Sequence, residues 1–204
     1  MRMPPLPEPS PEVTEEWLRQ RNAGGVLPRP AGVIEIRDYD LAWPEMFAEH
    51  EKRLRTALGP AALLVEHVGS TSVPGLAAKP RIDVDVIVAD PADEPAYLPA
   101  LEAAGYVLRV REPDWYEHRC LHGFEPTANV HVFGPDCDEF RRHVIFRDWL
   151  RDHPADRERY AAEKRRIAAA GVTFMAEYAA QKSGVVIDIL RKAGLTVSNE
   201  EKRA

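Results

Sequence analysis

Apolar and polar positions along this chain change period several times, and each change marks an element. Behind Trp43-Pro44, the residues Phe47, His50, Leu54 and Leu58 recur at spacings of three, four and four. That predicts a helix with proline in its first turn, one buried stripe and Gly59 at its end. His50 lies on the stripe and reads as a hydrogen-bonded core residue. An apolar run from Ala61 to Val65 leads into Gly69-Ser70, and a segment punctuated by proline and glycine follows. From Ile82 to Ile87 the pattern alternates strictly, which predicts a strand with Asp83, Asp85 and Ile87 on one face. Because Ile87 continues that face as an apolar residue, the aspartates are expected on the floor of a cleft and not on an open surface.

The pattern beyond is equally segmented. Asp90-Pro-Ala-Asp reads as a turn and cap before a helix over about 94–104, closed by Gly105. Strands are predicted over 106–110, 116–123 and 127–133, the last two joined as a hairpin through Phe124-Glu-Pro-Thr. On the final strand Val130 and Val132 oppose Asn129, His131 and Phe133. Three helices follow, over 138–152, 155–170 and 174–192, with His153-Pro154, Gly171 and Gly194 as their stops. A short strand is expected at 34–36. The opening 32 residues hold seven of the eighteen prolines mixed with acids, so they are expected to be extended or disordered, apart from one short helix within 12–21. Residues 195–204 form a polar tail expected to fray. The whole predicts an α/β (α+β) domain over 33–194: a mixed sheet, flanking helices and a C-terminal helical set.

Composition narrows the function. At 204 residues with 45% hydrophobic positions the chain suits one domain with a sizeable core. A net charge of −6 argues against a nucleic-acid partner, and the basic segment from Arg141 to Arg166 reads as a solvated helical face. No apolar run reaches membrane-spanning length and no signal-peptide pattern opens the chain, so a cytoplasmic protein is expected. Cys120 and Cys137 are too few for a disulfide framework and are expected as reduced thiols. With His122 and His131 they offer a formal Cys₂His₂ set, but Cys-x-His…His-x₅-Cys is an unusual zinc spacing. No Gly-x₄-Gly-Lys-Ser/Thr occurs, which excludes a P-loop kinase.

The candidate chemistry lies in 66–88. Two carboxylates one pleat apart stand about 7 Å apart at Cα, within reach of one hard cation. Gly69 and the hydroxyls of Ser70, Thr71 and Ser72 leave backbone N–H groups free to turn toward an anion. Asp83 and Asp85 are therefore the candidate metal ligands, and Lys79 and Arg81, just upstream, could neutralise phosphate charge.

The runs His-Val-Gly-Ser-Thr-Ser-Val-Pro-Gly-Leu-Ala-Ala-Lys-Pro at 67–80, Ile-Arg-Asp-Tyr-Asp-Leu-Ala-Trp-Pro at 36–44, Asn-Val-His-Val-Phe at 129–133 and Phe-Arg-Asp-Trp-Leu-Arg at 146–151 resemble the GrpB family. Its members resemble in turn the nucleotidyltransferase superfamily, with a Gly-Ser, a spacer and an Asp-x-Asp strand; here the spacer is Thr71 to Ile82, twelve residues. The resemblance implies a nucleotidyltransferase-like fold, Mg²⁺ (or Mn²⁺), and a nucleoside triphosphate gripped by Gly69 and Ser70 with Thr71 and Ser72 assisting. It further implies transfer of a nucleotidyl group to an unidentified acceptor. The superfamily draws a third carboxylate from a later strand, where this chain offers His131, which could bind the metal or serve as a general base. Glu66 and Glu117 are the nearest acidic substitutes in sequence. Two further readings stand beside transfer: a non-catalytic accessory module that keeps the fold, and a metal-assisted phosphoester hydrolase.

Overall fold

The computed structural model describes residues 3–8 and 10–197. Five strands, β1 (Leu64–Val68), β2 (Ile82–Ile87), β3 (Val107–Glu112), β4 (His118–Phe124) and β5 (Thr127–Phe133), form one sheet in the order β1-β2-β5-β4-β3. Only β2 and β5 run parallel; the other neighbours are antiparallel. The mixed sheet and its flanking helices agree with the fold class expected.

Alternation decides which face of the sheet goes where. Ile82, Val84, Val86, Leu121, Val130 and Val132 lie on one face. They bury against Leu54 and Leu58 of α2 (Trp43–Leu58) and Leu101 of α3 (Leu98–Ala103). Within α2, His50 is fully buried, with Nδ1 2.9 Å from the Tyr106 hydroxyl and Nε2 2.9 Å from the Pro126 carbonyl, the satisfied core histidine its position predicted. The opposite face carries Asp83, Asp85, Asn129 and His131 and is crossed by α4 (Asp138–Asp152). Behind α4 come α5 (Pro154–Ala170) and α7 (Ser183–Lys192), packed with the loop residues Val73, Leu76 and Ala77 in a second core, and α6 (Met175–Gln181), whose Tyr178 buries with Ile34 and Ile167.

Several boundaries differ from the expectation. Pro95 and Pro99 divide the predicted 94–104 helix into a 3₁₀ turn and α3, since each removes an N–H donor. The predicted 174–192 helix breaks at Lys182, just before Ser183-Gly184, both weaker helix formers. At 34–36 no strand forms; one bridge pairs Arg37 with Ala78.

The opening segment is extended but packed. Leu6 and Leu18, two apolar residues among its prolines and acids, are buried. The Leu6 and Ala31 amides donate to the Thr196 and Thr173 carbonyls, each at 2.8 Å, and α1 (Glu15–Arg21) lies beside β3 through an Asn22–Val110 bridge. The tail expected to fray from 195 begins with a buried Leu195; from 198 it lies outside the described residues. No described helix is long and apolar enough to cross a membrane.

Candidate nucleotide-binding site

The centre of the site is a contact between a glycine and an aspartate. Gly69 follows β1 with φ +67°, and a Cβ there would collide with Asp83 Oδ2, so the turn rests directly on the carboxylate. Asn129, the register partner of Asp83 on β5, donates from Nδ2 to Asp83 Oδ1 at 2.8 Å. One pleat along, Asp85 is fully buried; its Oδ2 lies 2.8 Å from His143 Nδ1 and its Oδ1 has no hydrogen-bond partner. Burial opposes charge on His143, but Asp85 and Glu139 together outweigh it and hold the imidazole well above its ordinary pKa.

The turn is fastened from the helical side. Lys164 of α5, 2% exposed, donates to Ser70 Oγ at 3.0 Å and to the Ala77 carbonyl. The other two hydroxyls expected to assist with phosphate serve the turn itself. Thr71 Oγ1 is 3.1 Å from His67 Nε2, and Ser72 Oγ donates to the Gly69 carbonyl at 2.6 Å; both residues are buried. Arg81 likewise turns to the sheet, its Nη1 donating to Asn129 Oδ1 and the Ala128 carbonyl at 3.2 and 3.3 Å, so it steadies the partner of Asp83 instead of facing an anion. Lys79 stays on the site side, 3.1 Å from Met175 Sδ and over the Tyr178 ring.

His131 is Asp85's register partner and belongs to a chain of polar contacts. Its Nδ1 lies 2.9 Å from His118 Nε2, His118 Nδ1 lies 2.7 Å from Glu112, and Glu112 meets Arg21 of α1 at 2.6 Å. Burial, then His118, lowers the His131 pKa to about 4. With Glu112 accepting from His118 Nδ1–H, neutral His118 accepts at Nε2 from His131 Nδ1–H, and His131 Nε2 is left with its lone pair.

The matching family description is "GrpB protein", over residues 33–192. The chain belongs to the GrpB family. A UPF0157 protein of Halalkalibacterium halodurans is 45% identical over 196 residues, covering 95% of this chain and 100% of that one. A second, of Streptomyces coelicolor, is 44% identical over 161 residues, covering 79% and 84%. The crystal structure of the conserved protein GrpB from Enterococcus faecalis is similar with a TM-score of 0.66 at 32% identity, covering 78% of this chain and 98% of that one.

In this GrpB chain the metal question turns on two carboxylates. Among the described residues no three His, Cys, Asp or Glu side chains are gathered as a ligand set, so His131 is not assembled with Asp83 and Asp85 as a third protein ligand. Cys120 and Cys137 are buried free thiols outside any such set, and burial raises Cys120 to about 12. Asp83 and Asp85 do fit a hard cation of the Mg²⁺ kind, which uses one or two carboxylates and completes its shell with water and substrate phosphates. The orphaned Asp85 Oδ1 is the oxygen such a cation would satisfy.

Of the acids weighed as substitutes, Glu117 pairs with Arg119 away from the aspartates, while Glu66 faces Asp85 across the β1–β2 register and is held by Arg147 at 2.8 Å. Sequence reasoning missed His143, Arg147 and Lys164. Glu139, His143, Arg147 and Arg151 are spaced by four along α4, and that single polar stripe was the available signal. It lies along the site, reaching Asp85, Glu66, the His67 carbonyl and the Ser72 carbonyl, and is not a solvated face.

Proposed function

We propose that this GrpB protein is a divalent-metal-dependent nucleotidyltransferase that binds a nucleoside triphosphate and passes its nucleotidyl group to an acceptor, with pyrophosphate leaving. The observation that carries the reading is the Gly69–Ser70 turn seated on Asp83, with the orphaned oxygen of Asp85 one pleat further along the same strand face. Asp83 and Asp85 would hold Mg²⁺ or Mn²⁺, which when bound neutralises phosphate charge and helps align the α-phosphate. Gly69 and Ser70 bind phosphate oxygens, since a glycine at positive φ lets backbone N–H groups come close to an anion. His143 and Asn129 each hold one aspartate in place. His131, standing where the superfamily places a third carboxylate, presents an unprotonated Nε2 to receive the proton of the attacking hydroxyl.

The test is incubation of the protein with Mg²⁺ and a nucleotide labelled at the α-phosphate, against a lysate fraction as acceptor source. Label transferred to an acceptor, and lost in Asp83→Asn with the fold retained, supports the reading. Label released only to water makes the protein a phosphoester hydrolase. Among the described residues no third acid joins Asp83 and Asp85 as a ligand set, Glu66 being held by Arg147, and this favours a second reading, a non-catalytic module on the same fold. Nucleotide binding that survives both Asp83→Asn and Asp85→Asn, without turnover, would establish it in place of the first.

A further inference from the structure

We propose that Lys79, Lys164 and Lys182 form a site for the tail of a polyphosphate chain, able to bind three linked phosphates without metal. The inference rests on the nucleotide reading for its place in the molecule and adds the length of phosphate chain selected.

Three parts of the chain supply the lysines. Lys164 comes from the buried face of α5 and reaches Ser70 Oγ at 3.0 Å. Lys79 comes from the loop before β2, and Lys182 from the junction of α6 and α7. These last two lie over the same ring, Tyr178, at 5.2 and 4.8 Å from its centroid. Among the described residues none of the three makes an ion pair, although lysine and arginine side chains elsewhere pair with carboxylates, as Arg19 does with Glu15 and Lys192 with Asp156. A lysine held out of water without a carboxylate is costly, and Lys164 is so held, while Lys79 and Lys182 are half-buried. Burial, then Lys182, brings Lys164 to about 6 and Lys79 to about 8. Asp83 is the one acid acting on both, through space. Three lysine amines gathered beside a turn match an anion of several charges, whose approach returns a proton to Lys164. The chemistry fits a chain longer than orthophosphate, because Lys79 and Lys182 share one ring while Lys164 sits at the Ser70 hydroxyl.

The experiment is titration calorimetry of the full chain in metal-stripped buffer, with inorganic tripolyphosphate, pyrophosphate and orthophosphate as probes. Affinity should fall in that order. Lys182→Gln, a partly exposed position that leaves the core intact, should weaken tripolyphosphate by about tenfold, the effect of one charge-assisted contact. Lys79→Gln should do the same. Asp83→Asn should tighten metal-free tripolyphosphate binding by removing the opposing charge, the reverse of its expected effect on Mg²⁺-dependent nucleotide binding. Equal affinity for the three anions, or tripolyphosphate binding unmoved by both lysine substitutions, overturns the proposal. Tripolyphosphate binding that follows the predicted order without nucleotide turnover would overturn the transferase reading alone; turnover without metal-free binding would overturn this site alone.

Discussion

Lys164 carries a cost that pH reveals. Its pKa falls from the ordinary 10.5 to about 6 in the folded protein, burial being the first cause and Lys182 the second, with Arg165 and Lys79 adding to it and Asp83 opposing. Between those values the unfolded chain binds the proton and the folded one does not, so this residue makes stability rise with pH from about 6 toward 10.5 and leaves it flat below. Urea denaturation at intervals from about pH 6 to 9 should show wild type gaining on Lys164→Met as pH rises; parallel curves would mean the lysine stays charged. Gly69 is the second residue with a sharp expectation. Gly69→Ala combines positive φ with a collision at Asp83, and should cost about 2–4 kcal/mol in denaturant unfolding. Both aspartates and the glycine were legible, because alternation and a turn signal are local. Lys164 was not, since its contact with Ser70 spans 94 positions and a lysine in a charged helix gives no sign of burial.

Among the elements, α4 shows how a stripe can be misread. Its basic residues suggested a solvated face, and one side of α5 does behave so: Arg166 pairs with Glu163 and has a side chain 63% exposed. The face made by Glu139, His143, Arg147 and Arg151 instead lies along β1, β2 and the Gly-Ser turn. Periodicity identified the helix and its bounds; which side met the sheet required knowing that β2 presents aspartates to it. Arg147 joins Glu66, the His67 carbonyl and Asp148 with a side chain 11% exposed. Arg147→Ala leaves a partly buried Glu66 without its cation and should destabilise by about 1–3 kcal/mol. Arg166→Ala should fall within about 0.5 kcal/mol of wild type. Thermal or urea unfolding of the two variants separates a clamp from a solvated face; equal small effects would return α4 to the latter.

Across the whole molecule, the residues before the family's own span are tied to its site. Arg21 reaches Glu112, which holds His118 and through it His131. The Pro5 carbonyl accepts from Arg142 Nε, and Arg142 pairs with Glu139, which faces His143 beside Asp85. Each contact stands a few links from a candidate catalytic group, although a proline-rich, acidic composition pointed only to a segment extended or disordered. Composition averages over the stretch, whereas packing depends on where Leu6 and Leu18 fall. A segment docked in this way should exchange its bonded amides with the body of the protein and not ahead of it. Hydrogen exchange read by mass spectrometry should show protection in peptides holding the Ala23 and Ala31 amides, which donate to the Arg109 and Thr173 carbonyls at 3.0 and 2.8 Å. Leu6→Ala, which empties a place beside Leu190 and Leu195, should cost about 2–3 kcal/mol and lower protection in α7 as well as at its own end. Full exchange of 10–31 within the dead time would show that this stretch does not brace the site, and the relay from Arg21 would then end at Glu112.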